Sequence, residues 1–406
     1  MPLHSVNDQA PSYWHRNLLV CLFGSFTTFL AMTVILPFLP LYVQQLGAVG
    51  KTTIAQWSGV AYGATFFTAG IIAPFWGHLG DRYGRKPMLL RASLGMTLTM
   101  GLMGCVTTVW QLIALRFLAG LAAGYSSGAT IMIAAQAPKE RSAWALGLLS
   151  SGVMAGNLAG PLVGGLFPHL IGIRMTFVGA SLLIFVTFLV TVLLVQETPV
   201  TQKKAPTSKK KWSEIPNKTL VIVMLSTGML LMMANMSIEP IITLYIRTFA
   251  PASSVTFIAG LVMSAAALGS ILSASWLGHL ADKIGANRVV IGSLAVAGLL
   301  LIPQAFVTSG WQLIALRFLM GIALGGLIPC IIAVVRHNVP NHAVGTVLGY
   351  TISAQYAGQV IGPLLGGFMG GHVSMRSVFL ITSVLLLVSA FGNWCLSQHR
   401  SRSHHS

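Results

Sequence analysis

Acidic residues are scarce in this chain. Only seven of its 406 residues are Asp or Glu, and all charged residues together make up 8%. A soluble domain carries about 25%, so water is not the solvent this chain is built for. Its four cysteines, Cys21, Cys105, Cys330 and Cys395, stand singly. That excludes a disulfide framework and a thiolate metal site, and they read as small apolar packing residues. No metal-ligand cluster, nucleophile elbow or phosphate-binding loop is present, so neither an enzyme nor a bound metal or cofactor is expected. No soluble domain fits between the apolar runs, which leaves no room for an ATPase. A gradient must supply the energy, or the chain merely equilibrates its substrate.

What is there is apolar: 55% of the residues are hydrophobic. Runs of about 20 apolar residues, enough to cross about 30 Å of hydrocarbon, fall near 17–43, 54–76, 88–108, 110–134, 143–167, 174–195, 219–245, 253–276, 289–308, 311–335, 343–368 and 374–396. The first is too long for a signal-peptide core and no small-residue cleavage site follows it, so it is expected to stay in the protein. The spans starting at 110 and 311 follow their predecessors almost without a gap, which predicts tight hairpins.

The second half repeats the first. Trp110–Leu118 returns residue for residue as Trp311–Leu319, 201 positions later. Gly77-His78-Leu79-Gly80-Asp81 returns as Gly278-His279-Leu280-Ala281-Asp282, and Gly160-Pro161-Leu162-Val163-Gly164-Gly165 as Gly362-Pro363-Leu364-Leu365-Gly366-Gly367. Pro37, Leu41 and Tyr42 correspond to Pro240, Leu244 and Tyr245. The expected fold is therefore an all-α integral membrane protein, twelve transmembrane helices in two pseudo-symmetric six-helix bundles. Residues 1–195 form the first bundle, 196–218 a polar linker and 219–406 the second. Two like halves in an apolar chain are the plan of a secondary transporter, with its site between them.

The net charge of +17 invites a nucleic-acid reading, which its distribution excludes. With the N-terminus inside, 18 of the 24 Lys and Arg residues fall in inner segments, four (Lys51, Arg174, Arg247, Arg376) in outer ones, and two within spans. This is the positive-inside pattern, with both termini cytoplasmic. Lys203-Lys204 and Lys209-Lys210-Lys211 have a second expected role, touching anionic lipid head groups.

Gly77 to Lys86, between spans two and three, resembles the signature loop of the major facilitator superfamily, and Gly278–Gly285 is its degenerate copy between spans eight and nine. The resemblance covers essentially the whole chain. In that family the loop aspartate charges a helix end at the interface of the halves and latches the outward-facing state. The resemblance therefore implies a conformational gate of Gly77, Asp81, Arg82, Gly84, Arg85 and Asp282, with Arg85 the basic partner of Asp81. Ala286 and Asn287 replace the basic pair in the second copy, so a latch there is expected to be weaker. The bland alternative is that Arg82, Arg85 and Lys86 only anchor topology.

Span five carries Gly152, Gly156, Gly160, Gly164 and Gly165 with Pro161, and span eleven carries Ala354, Gly358, Gly362 and Gly366 with Pro363. Glycines four apart line one helix face and admit a neighbouring backbone. The arrangement resembles the antiporter motif of the superfamily's drug:proton exporters; generic helix packing is the alternative. The strings Leu36–Val43, Trp57-Ser58-Gly59 and Pro74-Phe75-Trp76-Gly77 likewise resemble its bacterial multidrug exporters.

Of the acids, Glu239 alone lies inside a span, in Ile238-Glu239-Pro240. A lone charge at the bilayer centre costs at least about 3 kcal/mol, so such residues usually face a cavity and mark function. Glu239 is the expected proton site. Arg116 and Arg317 are the two intramembrane cations, each six residues past its Trp, roughly 9 Å below the outer boundary at about 1.5 Å per residue. Glu239 sits at similar depth. The family's architecture places spans one, four, seven and ten around the cavity, so Glu239 is expected to pair with Arg317 when ionised and release it when protonated. A permanent structural ion pair is the alternative. Arg116 matches the arginine of the family's fourth-span motif, which is credited there with proton relay.

Tyr42, Tyr125, Asn157, Asn235, Tyr245, Gln355 and Tyr356, with Met229, Met232, Met233 and Met236, are the candidate cavity lining. Methionines and aromatics give an adaptable apolar wall, although membrane-helix methionines also pack or face lipid. The expected function is proton-coupled efflux of amphipathic drugs or related small molecules across a bacterial cytoplasmic membrane, powered by the proton gradient, by a monomer with no partner beyond substrate, protons and lipid. A dedicated exporter of a siderophore or of a sugar or amino-acid derivative, import, and a receptor role are the alternatives.

Overall fold

A computed structural model of the protein describes residues 13–197, 218–340 and 343–403. They form fifteen α-helices, α1 (Trp14–Val34), α2 (Leu39–Gln45), α3 (Lys51–Tyr83), α4 (Arg85–Met103), α5 (Val109–Ala122), α6 (Tyr125–Gln136), α7 (Ser142–Ile171), α8 (Ile173–Leu194), α9 (Lys218–Ile246), α10 (Val255–Ile284), α11 (Ala286–Gln304), α12 (Gly310–Leu324), α13 (Leu327–His337), α14 (Val344–His372) and α15 (Met375–Ser403). No strand occurs among the described residues. In hydrocarbon each backbone amide must be satisfied within its own segment, and an apolar chain answers with helices.

Three spans are broken, each where the sequence disfavours a continuous helix. Span one stops before Pro37, which has no N–H to donate, and resumes as α2. Span four breaks at Ala123-Gly124, where Gly124 takes a φ of +116°, and span ten breaks at Gly325-Gly326, Gly325 being the counterpart of Gly124. Counted this way there are twelve spans. Ten are long and apolar enough to cross a membrane by those measures alone; the other two, α4 and α14, are 19 and 29 residues long.

The repeated Trp-Gln string begins each fourth span of a half, and its glutamine helps cap the helix. Gln111 Oε1 accepts from the Thr108 amide at 3.3 Å and Thr108 Oγ1 accepts from the Gln111 amide in return, which closes a capping box, and the Thr107 amide also donates to Gln111 Oε1, at 2.8 Å. Gln312 accepts from the Thr308 amide at 2.9 Å in the copy. The tight hairpins predicted from the near-absent gaps rest on these caps.

Each half has its own apolar core. Within the halves the glycine faces are the tightest seams. A Cβ on Gly152, Gly156, Gly160 or Gly164 of α7 would meet Leu22, Phe26, Thr33 or Val34 of α1. On α14, Gly358, Gly362 and Gly366 press in the same way on Met229, Met233 and Ser237 of α9. Gln196 and Glu197, expected to open the linker, are instead built into the first half. The Gln196 carbonyl accepts from Asn17 Nδ2 at 2.6 Å, and Glu197 binds the start of α4. Lys218 is already the first residue of α9. The rest of the linker, with Lys203, Lys204 and Lys209–Lys211, lies outside the described residues.

The halves meet along two seams, α3 with α14 and α7 with α10, and only over the part remote from the chain termini. There Gly59 meets Pro363, Gly367 meets Ala55, and Gly165 meets Gly260. Thr52 donates to the Gly371 carbonyl and Ser264 to the Leu158 carbonyl, both at 2.8 Å. Thr243 donates to the Pro37 carbonyl at 2.8 Å, and Arg247 to Gln44 at 2.9 Å. Further along the same helix faces lie Gly77, Gly349, Gly147 and Gly278, each a whole number of turns from a seam residue. A Cβ on any of these four would have nothing within 4 Å. The far end is closed, and the end carrying the termini and most basic residues is open.

Candidate functional site

The helices carrying the intramembrane charges do not pack on one another. Arg116 rides on α5, which packs on α3 and α4; Glu239 on α9, which packs on α14 and α15; and Arg317 on α12, which packs on α10 and α11. Arg116 belongs to the first half, Glu239 and Arg317 to the second.

Arg116 is 2% exposed, and its Nε donates to the Ala61 carbonyl at 2.9 Å while one terminal nitrogen stays enclosed without a partner. Arg317 is equally withdrawn, its Nε unpartnered. Glu239 is half-buried, with carboxylate oxygen Oε2 enclosed and making no hydrogen bond. The charges of Glu239 and Arg317 act on each other, and both Glu239 and Arg116 act on Tyr62 between them. The expected ion pair is nevertheless not made: among the described residues Asp81–Arg85 is the only one within 4.0 Å. The physical reason is the separation of α9 from α12. Glu239 is thus held near Arg317 without being neutralised by it.

Tyr62 was not singled out by sequence reasoning. Its hydroxyl donates to the Leu36 carbonyl at 2.8 Å, one of the acceptors the break of span one exposes, and Thr243 takes the next, at Pro37. A tyrosine one turn from the Trp57-Ser58-Gly59 string was the only available signal.

Several expected cavity residues belong instead to the packing. Tyr42 is buried against Phe177 and donates to the Met103 carbonyl at 2.6 Å. Tyr125 is buried with its hydroxyl 2.9 Å from Thr191 Oγ1. Tyr245 donates to the Gln304 carbonyl at 3.1 Å, at the far end. Each ring finds a hydrogen-bond partner inside its own bundle, which is the ordinary fate of a buried tyrosine. Asn157, Asn235 and Gln355 are half-buried and make no hydrogen bond with any described residue. Tyr356 packs on Gly70 across the α3–α14 seam. Met232 and Met236 press on Gly358 and Gly362, and the Met232 sulfur accepts from Gln359 Nε2 at 3.6 Å. Gln359, one turn beyond Gln355, was missed; the four-residue spacing was the available signal.

At the open end, Asp81 is 72% exposed and pairs with Arg85 rather than with the other half. Gly84 turns the chain with a φ of +94°, which only glycine adopts without strain. Glu197, also missed, spans the first turn of α4: its two oxygens accept from the Arg85 and Lys86 amides at 2.6 and 2.7 Å. A carboxylate there satisfies two orphan donors and complements the helix dipole. Arg91, counted only for topology, stacks 3.7 Å over Trp76 and donates to the Leu121 and Ala123 carbonyls at the span-four break. In the second copy Asp282 is exposed and makes no ion pair with any described residue.

The family model described as the Major Facilitator Superfamily matches residues 21–257 and 224–406. A multidrug resistance protein MdtG from Dickeya zeae (strain Ech586) is 39% identical over 399 residues, covering 98% of each chain. Another from Serratia proteamaculans (strain 568) is 40% identical over 393 residues, covering 96% of each. Among solved structures, a bacterial homologue of the human lysosomal transporter Spinster, inward-facing and occupied, superposes with a TM-score of 0.78 over 96% of this chain and 98% of that one. A D-xylose–proton symporter superposes at 0.75 over 94% and 98%. These structures are 16% and 14% identical, so the likeness is one of fold.

Proposed function

This chain belongs to the major facilitator superfamily, a transporter and not an enzyme, and on that premise we propose that it exports amphipathic drugs by proton antiport through alternating access. The observation that carries the reading is Glu239. It is the single acid inside a span, enclosed at one oxygen, unpartnered, and within electrostatic reach of Arg317. The kinship with MdtG multidrug resistance proteins supports drugs as the cargo. The positive-inside bias assigns the open end to the cytoplasm and both termini with it, in a bacterial inner membrane.

In this conformation the central space takes a drug from the cytoplasmic side, where the span-seven methionines and the free amides of Asn157, Asn235 and Gln355 adapt to varied shapes. Glu239 gives up its proton to the same side, and its charge then draws Arg317 and a cationic drug. Opening of the far end exposes Glu239 to the outside, where a proton neutralises it and the drug leaves. The glycine seams α1–α7 and α9–α14 let each half rock as a unit. One carboxylate allows one proton per cycle. At about 100 mV that supplies roughly 2.3 kcal/mol for a neutral substrate, or a gradient of about fifty-fold. Exchange for a monocation is electroneutral and draws on the pH gradient alone. The protein works as a monomer in lipid, with the proton gradient in place of a cofactor.

The test uses inside-out vesicles carrying wild type or Glu239→Gln, acid inside, with uptake of an amphipathic cation and proton release followed together. Coupled movement that disappears in the variant is expected. Coupling that survives would reduce Glu239 to a structural residue. No movement with any drug would favour a dedicated metabolite exporter, and monocation transport driven by voltage alone would contradict the one-proton scheme.

A further inference from the structure

The closed end is a face of cations without counterions. The loops there, 44–52, 104–109, 171–174, 246–255, 304–311 and 372–376, contain no Asp or Glu at all, yet carry Lys51, Arg174, Arg247 and Arg376. Three of the four have a protein partner: Arg247 donates to Gln44, Arg174 is engaged with Tyr42 and Arg376 with Tyr245. Lys51 and Arg376 line one open cavity of about 510 Å³. Its polar wall is completed by Tyr245, Thr248, Thr308 and Ser374. Arg376 lies 6.0 Å over the Phe306 ring and beside the Tyr245 hydroxyl, so its guanidinium is held in place. The Lys51 ammonium makes no hydrogen bond or ion pair with any described residue. The α3 and α15 helices also begin here, at Lys51 and Met375, and their positive dipole ends add to the field.

Lys51 belongs to the first half of the protein and Arg376 to the second. They share a wall only because the α3–α14 seam is shut beside them, where Thr52 donates to the Gly371 carbonyl. We propose that this cavity binds a phosphate-type oxyanion between Lys51 and Arg376, and that the bound anion holds the far end closed. A fixed guanidinium and a mobile ammonium suit such a group, which accepts from both cations and from Ser374, whose hydroxyl can turn to it from Ser377. When the far end opens, α3 parts from α14 and the two cations separate. The anion thus binds one conformation better than the other and shifts the equilibrium by that difference. The phosphate is either free in solution or the head group of an anionic lipid in the adjoining leaflet.

The experiment uses the purified full-length protein in phosphatidylcholine nanodiscs at constant ionic strength. Thermal midpoint is read against inorganic phosphate, and separately, without phosphate, against the phosphatidylglycerol content of the disc. A second readout is the distance between labels on Val49→Cys and Val373→Cys, two exposed far-end positions of opposite halves, with the four native cysteines replaced. Wild type is expected to gain stability and to shorten the label distance. Lys51→Gln and Arg376→Gln should each weaken the apparent affinity about tenfold, Lys51→Arg should stay within about threefold of wild type, and Arg174→Gln should behave as wild type. A response to phosphate in neutral discs identifies a free anion; a response to phosphatidylglycerol alone identifies a lipid. Equal responses in wild type and both Gln variants, no response to either anion, or binding without a change in label distance would overturn the proposal.

Discussion

Gly59 of α3 and Pro363 of α14 meet backbone to backbone across the two halves, so closely that a Cβ on Gly59 would run into the Pro363 carbonyl oxygen. The contact lies on the closed half of the seam. Eighteen residues along the same face of α3, Gly77 touches nothing. Closure of the far end therefore depends on hydrogen in place of a side chain at Gly59, and the same holds for Gly260 against Pro161 on the other seam.

Gly59→Val is expected to push the far end open. Overpacking costs about 1–3 kcal/mol, which shifts the closed-to-open ratio by about 5- to 150-fold. Distances between spectroscopic labels on Val49→Cys and Val373→Cys would report the shift. Gly349→Val, where a Cβ has open space, serves as the comparison and should leave the distances alone. Identical distributions in the two variants would refute the seam as the gate.

Gly164→Ala and Gly366→Ala should each lower the thermal midpoint, with a cost of about 1–3 kcal/mol. Their added Cβ atoms overlap the Val34 and Ser237 carbonyl oxygens, which are backbone and cannot step aside. Gly128→Ala in α6 meets only the tip of Leu89 at 3.2 Å and gains up to about 1 kcal/mol of helix propensity. It should therefore melt no lower than wild type. If all three variants melted alike, the glycine seams would not be the tight contacts described.

Glu197→Ala removes the acceptor of two amides at the start of α4. A lost N-terminal cap costs about 1–2 kcal/mol, and hydrogen exchange at the Arg85 and Lys86 amides should accelerate. Glu197→Gln keeps one acceptor oxygen and should fall between. Unchanged exchange at those two amides in Glu197→Ala would remove the capping role.

Arg116 and Arg317 occupy equivalent positions and are expected to respond oppositely. Arg116→Gln breaks a hydrogen bond to the Ala61 carbonyl at 2.9 Å, a loss of about 1–3 kcal/mol. Arg317→Gln removes a buried charge that makes no hydrogen bond with any described residue, which relieves the cost of holding an uncompensated ion out of water, so it should melt no lower than wild type. Melting of the two purified variants in the same detergent decides it. Equal destabilisation would make both arginines structural.

Much of the architecture was legible because the membrane makes the grammar local. Each span must satisfy its own amides, so apolar length predicts a helix, and Pro37 and Gly124 mark where a helix gives way. The four-residue glycine spacing on spans five and eleven predicted close faces and the structure supplies the partners, spans one and seven. The second Asp loop lost its basic pair, and Asp282 makes no ion pair with any described residue. The site was less legible. Tyr42, Tyr125 and Tyr245 looked like cavity walls because a tyrosine in a span must place its hydroxyl somewhere; the acceptors it found, at Met103, Thr191 and Gln304, lie 61, 66 and 59 residues away in sequence. Glu197 read as linker because the amides it caps are more than a hundred residues upstream.

By itself the sequence determined the number of membrane spans, their pairing into two like halves, and the single acid inside the membrane, all consequences of apolar length, spacing and composition. Tertiary structure alone decided which end is closed, that Glu239 and Arg317 stand near each other unpaired, and that Lys51 and Arg376 share a cavity. Those three facts depend on how one half is rotated against the other. Alternating access changes that rotation while every residue stays in its own helix, and so no local pattern along the chain encodes it.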